Sequence, residues 1–231
     1  MLTSLVGSEM CIRDRYYSAF WIPSNGKLFV YNSDKTKLLG AYTNLNNHES
    51  GVFANEIIED NKLTLEYIQK GEGSPIIKIN QVSYAYRSIK TSKISSGFGD
   101  SESCQVNVNC SPEGDNWQDV KRAVCRISIK IGGNSYWCSG SLINNTEQNC
   151  KPYVLTADHC TFDDDNNSYA TVNDMNQWLF YFNYEASECE NPNSSPSSNT
   201  MTGCSKISNS SATGSISNTS DFHLVQLNND I

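Results

Sequence analysis

The chain has 231 residues, with 17 Lys and Arg against 25 Asp and Glu, a net charge of −8 and a pI near 4.9. That length allows one large or two small domains. An acidic balance with no Lys/Arg cluster or basic-aromatic stripe excludes a nucleic-acid-binding surface, and the absence of any run of about 18 apolar residues excludes a helical membrane span.

Residues 1–15 lack an apolar core and join no periodic pattern. The stretch from Ser4 to Arg15 reads as translated adapter sequence and is set aside from fold reasoning, as expression scars are. A signal peptide is expected upstream but none is visible in these residues.

Residues 16–90 are a series of short strands. Ala19-Phe20-Trp21-Ile22 runs into a Pro23-Ser24-Asn25-Gly26 turn, and Lys27-Leu28-Phe29-Val30-Tyr31 alternates. Leu38-Leu39-Gly40-Ala41-Tyr42, Val52-Phe53-Ala54, Leu63-Thr64-Leu65-Glu66-Tyr67-Ile68 and Ile76-Ile77-Lys78-Ile79 follow between polar turns. This spacing predicts an antiparallel β-sandwich, and no helical period competes with it. The region has no cysteine, whereas eight of the nine cysteines lie between residues 104 and 204, so a domain boundary is expected between them. Residues 91–103, rich in Ser, Lys and Gly, read as a linker.

Strands resume in residues 104–231. No Cys-x-x-Cys pair occurs, which argues against a zinc ribbon or a thioredoxin-like site. Disulfides in an oxidising compartment are the better reading, hence a secreted, extracellular protein. Ile127, Ile129 and Ile131 alternate with polar residues. The runs from Ser141 to Asn144 and from Pro152 to Thr156 read as adjacent strands joined by a polar turn. Cys138 precedes the first and Cys160 follows the second. His159 stands at the end of the second strand, where an imidazole can act as a general base near neutral pH. The aromatic strand Gln177-Trp178-Leu179-Phe180-Tyr181-Phe182-Asn183-Tyr184 is expected in the core. The Ser/Asn-rich stretch 189–217 is expected to be a surface excursion with one short strand, and a last strand follows Asp221.

Cys138-Ser139-Gly140-Ser141-Leu142-Ile143 with Leu155-Thr156-Ala157-Asp158-His159-Cys160 resembles the histidine region of the trypsin-like serine proteases, most closely the bacterial lysyl endopeptidases. Ser103-Cys104, Cys110-Ser111-Pro112-Glu113-Gly114-Asp115 and Thr219-Ser220-Asp221-Phe222 are similar to further motifs of that family, in the same order. The resemblance covers about residues 101–231. It implies an all-β chain in which the N-terminal sandwich precedes one six-stranded barrel of a two-barrel protease. It also implies His159 as base and Asp221 as its carboxylate partner, in the order His, Asp, Ser.

No Gly-Asp-Ser-Gly-Gly or Gly-Ser-Ser-Gly-Ser element follows before Ile231. The nucleophile is therefore expected beyond it, which makes this chain an inactive fragment of a secreted precursor. The resemblance pairs Cys138 with Cys160 and Cys110 with Cys189, places the partner of Cys104 downstream, and leaves Cys125, Cys150 and Cys204 unassigned. It puts the sandwich where a pro-region stands, with an activating cut in the linker after Lys93; a permanent accessory domain is the alternative.

Other readings stand beside these. His159 can be a structural histidine beside a disulfide, and Asp221 a turn cap. Asp158 stands where the family has a small residue or a second histidine; it can bond locally or face solvent. It is not cast as the relay acid, because neighbours in an extended chain point opposite ways. His223 is expected to be a partly exposed surface histidine. Asp163, Asp165, Asn167 and Asp174 have the spacing of a calcium loop, but Ser168 stands in place of the required glycine and the closing Glu is absent, so a solvated loop is expected. His159, Cys160 and Cys138 compose a zinc set on paper, but a disulfide explains the cysteines better. The reading is of a monomer that acts on protein or peptide substrates, with no metal, cofactor, nucleic acid or membrane. A non-catalytic trypsin-like binding protein and a secreted β-rich adhesion module are the alternatives.

Overall fold

A computed structural model describes residues 2–6, 12–58, 60, 62–84, 104–163, 168–191, 196–210 and 220–229. Among these residues, seven strands make the N-terminal part: β1 (Leu2–Val6), β2 (Ile12–Trp21), β3 (Gly26–Asn32), β4 (Leu38–Tyr42), β5 (Phe53–Asn55), β6 (Lys62–Gln69) and β7 (Ile76–Tyr84). They form a four-stranded sheet in the order β1-β6-β3-β4 and a three-stranded sheet in the order β5-β2-β7. All pairings are antiparallel.

Alternation decides what each strand buries. Leu28 and Val30 of β3 and Leu63 and Leu65 of β6 meet Tyr17, Phe20 and Phe53 from the other sheet in one apolar cluster. Phe20 stacks on Phe53 with ring centroids 4.2 Å apart. The expected sandwich is therefore present. Leu2–Val6, set aside from the sequence, pairs with β6 from Leu2↔Glu66 to Val6↔Lys62. Ile12 opens β2, and Arg15 of that strand is fully buried.

Among the described residues, seven more strands build the second part: β8 (Val124–Ile131), β9 (Asn134–Ile143), β10 (Tyr153–Thr156), β11 (Leu179–Phe182), β12 (Asn199–Thr202), β13 (Cys204–Asn209) and β14 (His223–Leu227). A single helical turn, α1 (Val172–Met175), precedes β11. The sheet order is β12-β11-β8-β9-β10-β14-β13. Its two edge strands, β12 and β13, are consecutive in the chain and separated only by Gly203, so the sheet curls until its edges meet there. Gly203 has φ +82, and a Cβ on it would lie 2.5 Å from Asn228 Nδ2 and 2.8 Å from the Asn176 carbonyl, so this corner needs glycine.

Six strands are expected from the sequence and seven form among the described residues, because the stretch 189–217 supplies two. β13 hides its end residue Cys204 but leaves Ser205, Lys206, Ile207 and Ser208 exposed, so it lacks the apolar alternation that marks a strand.

Ile127, Ile129, Ile131, Val154, Trp178, Phe180, Phe182, Val225 and Leu227 fill the barrel. Trp178 satisfies its indole N–H on the Lys130 carbonyl, 3.1 Å away. The aromatic strand β11 is only half in this core. Leu179 and Tyr181 point outward and are covered by Tyr16 and Ala54 of the sandwich. Tyr16 and Tyr17 are both buried because they sit on opposite faces of β2, one against the barrel and one in the sandwich core.

Polar groups fix this contact. Gln177, 4% exposed, donates its amide to the carbonyls of Tyr17 (3.0 Å) and Phe53 (2.9 Å). The Thr202 hydroxyl donates to the Ala54 carbonyl at 3.1 Å, and Tyr16 OH bonds Ser135 Oγ at 2.8 Å.

A buried carbonyl left without a donor costs about 1–3 kcal/mol. Gln177→Leu removes the donor from two of them, so the substitution is expected to destabilise the chain by at least about 2 kcal/mol in urea unfolding. A midpoint unchanged from the parent would show that the two parts do not depend on this amide.

Candidate active site

β10 lies between β9 and β14, with Tyr153↔Ile143 on one side and Thr156↔His223 on the other. The chain leaves β10 through Ala157 and turns tightly over Asp158–Thr161. The Thr161 hydroxyl closes this turn on the Asp158 carbonyl at 2.5 Å. Cys160 is joined to Cys138 of β9 across 22 residues, a closure worth roughly 3 kcal/mol on the chain-entropy view. His159 is thus held between a disulfide and a hydrogen-bonded turn.

Asp221, two residues ahead of β14, arrives at the same turn. Its Oδ1 accepts the His159 backbone N–H at 2.9 Å and its Oδ2 meets His159 Nδ1 at 2.5 Å. The bond requires the proton on Nδ1, which leaves Nε2 on the far edge of the ring as the basic nitrogen. The His159 side chain is 56% exposed and that of Asp221 24%, so the imidazole faces solvent while its carboxylate sits behind it. Burial pushes the Asp221 carboxyl up. The hydrogen bonds from the His159 ring and backbone, the His159 charge and the Asp158 backbone N–H outweigh it, and the group lies below its ordinary value.

Asp158 and His223 differ from expectation. Both are completely buried. His223 Nδ1 meets Asp158 Oδ1 at 2.9 Å, and Asn209 of β13 donates its amide to the same oxygen at 3.0 Å. The Tyr169 hydroxyl is 3.3 Å from His223 Nδ1. Burial lowers the His223 pKa; Asp158 opposes this and the Lys206 charge reinforces it. A signal for this burial lay in the sequence: His223, Val225 and Leu227 alternate along β14, and all three face inward.

The remaining candidates fall elsewhere. Cys110 and Cys189 are bonded, with Cα atoms 4.3 Å apart. Among the described residues Cys104, Cys125, Cys150 and Cys204 are unpaired thiols. Burial pushes Cys125 up to about 12 and Cys204 higher still, so both are inert. The Sγ atoms of Cys138 and Cys160 and a His159 nitrogen lie within 4.8 Å of one another. The two sulfurs are bonded together, however, and supply no thiolate for zinc. Of the calcium-loop candidates, Asp165 and Asn167 lie outside the described residues. Asp163 accepts the Ser168 backbone N–H. Asp174 is committed to capping α1 and to a buried ion pair with Lys130 at 2.6 Å. No helix among the described residues is long and apolar enough to cross a membrane.

Two comparisons bear on this arrangement. Residues 98–231 match the family described as lysyl endopeptidase, C-terminal domain. A lysyl endopeptidase of Pseudomonas aeruginosa strain PAO1 is 29% identical over 114 residues, which is 46% of this chain and 25% of that protein. The chain thus aligns with about a quarter of the length of this curated relative. Since the family match extends over more than half of its residues, the chain belongs to the lysyl endopeptidase C-terminal domain family.

Proposed function

We propose that the whole protein is a secreted serine endopeptidase, in which His159 is the general base and Asp221 the carboxylate that orients it. The observation that carries this reading is the double grip of one carboxylate on the ring and the backbone of a half-exposed histidine. Two disulfides and an acidic, Ser/Asn-rich composition support secretion. The serine is contributed by sequence that follows these residues in the longer protein, as the size of the relative suggests.

In the reaction, the serine Oγ attacks the scissile carbonyl carbon and its proton passes to His159 Nε2. Asp221 holds the Nδ1–H and stabilises the imidazolium that forms. Collapse of the tetrahedral intermediate breaks the C–N bond, and the Nε2 proton moves to the departing amine. Water, deprotonated by the same nitrogen, then hydrolyses the acyl-enzyme. A preference for lysine is carried over from the relative's name. The sandwich acts as a pro-region removed by a cut after Lys93, within residues 91–103.

Four outcomes test this reading. In the full-length protein, His159→Ala is expected to lower kcat by at least ~10⁴-fold, with Asp221→Asn near ~10⁴-fold; caseinolysis surviving either change would remove that residue from the mechanism. The 231-residue chain alone is expected not to react with a fluorophosphonate probe. N-terminal sequencing of the secreted mature enzyme is expected to start in the linker, and a start inside the sandwich would rule out the pro-region role. Finally, Asp221 has a depressed pKa, so its bonds stabilise the fold fully above the ordinary Asp value of about 3.9 and fade as pH falls through the lower folded value. Carboxyl NMR is expected to place its titration midpoint below about 3.9, and a midpoint at or above that value would contradict the proposed grip.

A further inference from the structure

Two consecutive residues of one turn are tied to Asp221, just ahead of β14, and to His223, the first residue of that strand. His159 reaches outward to Asp221, and Asp158 reaches inward to His223. The outer pair is partly exposed, its imidazole more than its carboxylate, and the inner pair is completely buried. The inner pair has a third support, because Asn209 brings β13 onto the same Asp158 oxygen. Other groups facing it are the Tyr169 hydroxyl and ring, the Trp178 ring with its centroid 6.4 Å from that of His223, and the Lys206 charge.

We propose that Asp158 and His223 form a buried positioning pair that locks the Asp158–Thr161 turn onto β14, and so sets the distance and angle at which His159 meets Asp221.

The physical ground is register. Neighbouring positions on a strand differ by about 3.3 Å, and a hydrogen bond tolerates only tenths of that. If the turn slid along β14, both bonds from Asp221 would be lost together. A partly exposed His–Asp pair resists such sliding only weakly by itself, since water can reach the ring and compete for its partner. A buried carboxylate does resist it, because leaving its partner inside the protein strands a charge without a donor. The Asp158 backbone N–H that also serves Asp221 moves with the same turn. Asp158 touches no reacting atom; it acts through His159 and Asp221. This rests on the proposed roles of those two residues only for its effect on turnover.

The test uses the 231-residue chain for geometry and the full-length enzyme for rate. In the chain, Asp158→Ala is expected to abolish the low-field Nδ1–H resonance of His159 and to raise the Asp221 titration midpoint toward about 3.9. Asp158→Asn, whose carbonyl oxygen can still accept from His223, is expected to keep both signatures. His223→Phe keeps a flat aromatic ring, somewhat larger than imidazole, without a ring nitrogen and is expected to behave like the alanine variant, which provides a second route should that variant fail to fold. In the full-length enzyme, Asp158→Ala is expected to lower kcat by on the order of 10- to 100-fold with KM little changed. Either the Ala or the Phe variant, folded and with Cys138 still bonded to Cys160, overturns the proposal if it leaves both NMR signatures intact. Intact signatures in the parent without any peptidase activity would instead count against the catalytic reading.

Discussion

The pairing of β10 with β14 is the constraint on which the site depends. Four residue pairs, from Tyr153↔Gln226 to Thr156↔His223, bring together stretches 62 residues apart at their functional ends. Neither partner stands alone. β10 is also paired with β9, and β14 with β13. Val154 and Val225 meet in the barrel core, so this register has apolar burial behind it as well as backbone hydrogen bonds. The Cys138–Cys160 bond then prevents the turn beyond β10 from lifting away from β9.

The barrel does not end at its own strands. Its outer face at Leu179 and Tyr181 is apolar and is covered by Tyr16 and Ala54. The buried amide of Gln177 supplies donors to two sandwich carbonyls. Of these sandwich residues, Tyr16 also reaches Ser135, three positions before Cys138 on β9. The N-terminal part therefore packs against the strand that carries one half of the disulfide beside His159. This physical link couples the folding of the N-terminal part to that of the barrel.

Much of this was legible in the residues. Short apolar runs broken by Pro, Asn and Gly marked the sandwich, and the two runs flanking Asn145 to Asn149 marked β9 and β10. His159 stood out because a cysteine followed it and a strand preceded it. Other features were hidden for definable reasons. β12 and β13 are polar on their exposed faces, so alternation gave no signal. The buried pair of Asp158 with His223 was missed because charged residues are ordinarily exposed. Reading β14 as His223, Val225 and Leu227 on one face would have placed that histidine inside. Asp158, in a turn, had no period to read. The contact between the aromatic strand and the sandwich joins residues more than a hundred positions apart and could not be seen locally.

The central claim is that His159 Nε2 is the basic nitrogen of a proteolytic site. Alkylation of the full-length protein with a lysyl chloromethyl ketone, followed by peptide mapping, tests it most directly. The account predicts a single modified histidine, His159, substituted at Nε2, with peptidase activity lost in step. Complete inactivation with the label on another residue, and His159 unmodified, would contradict it.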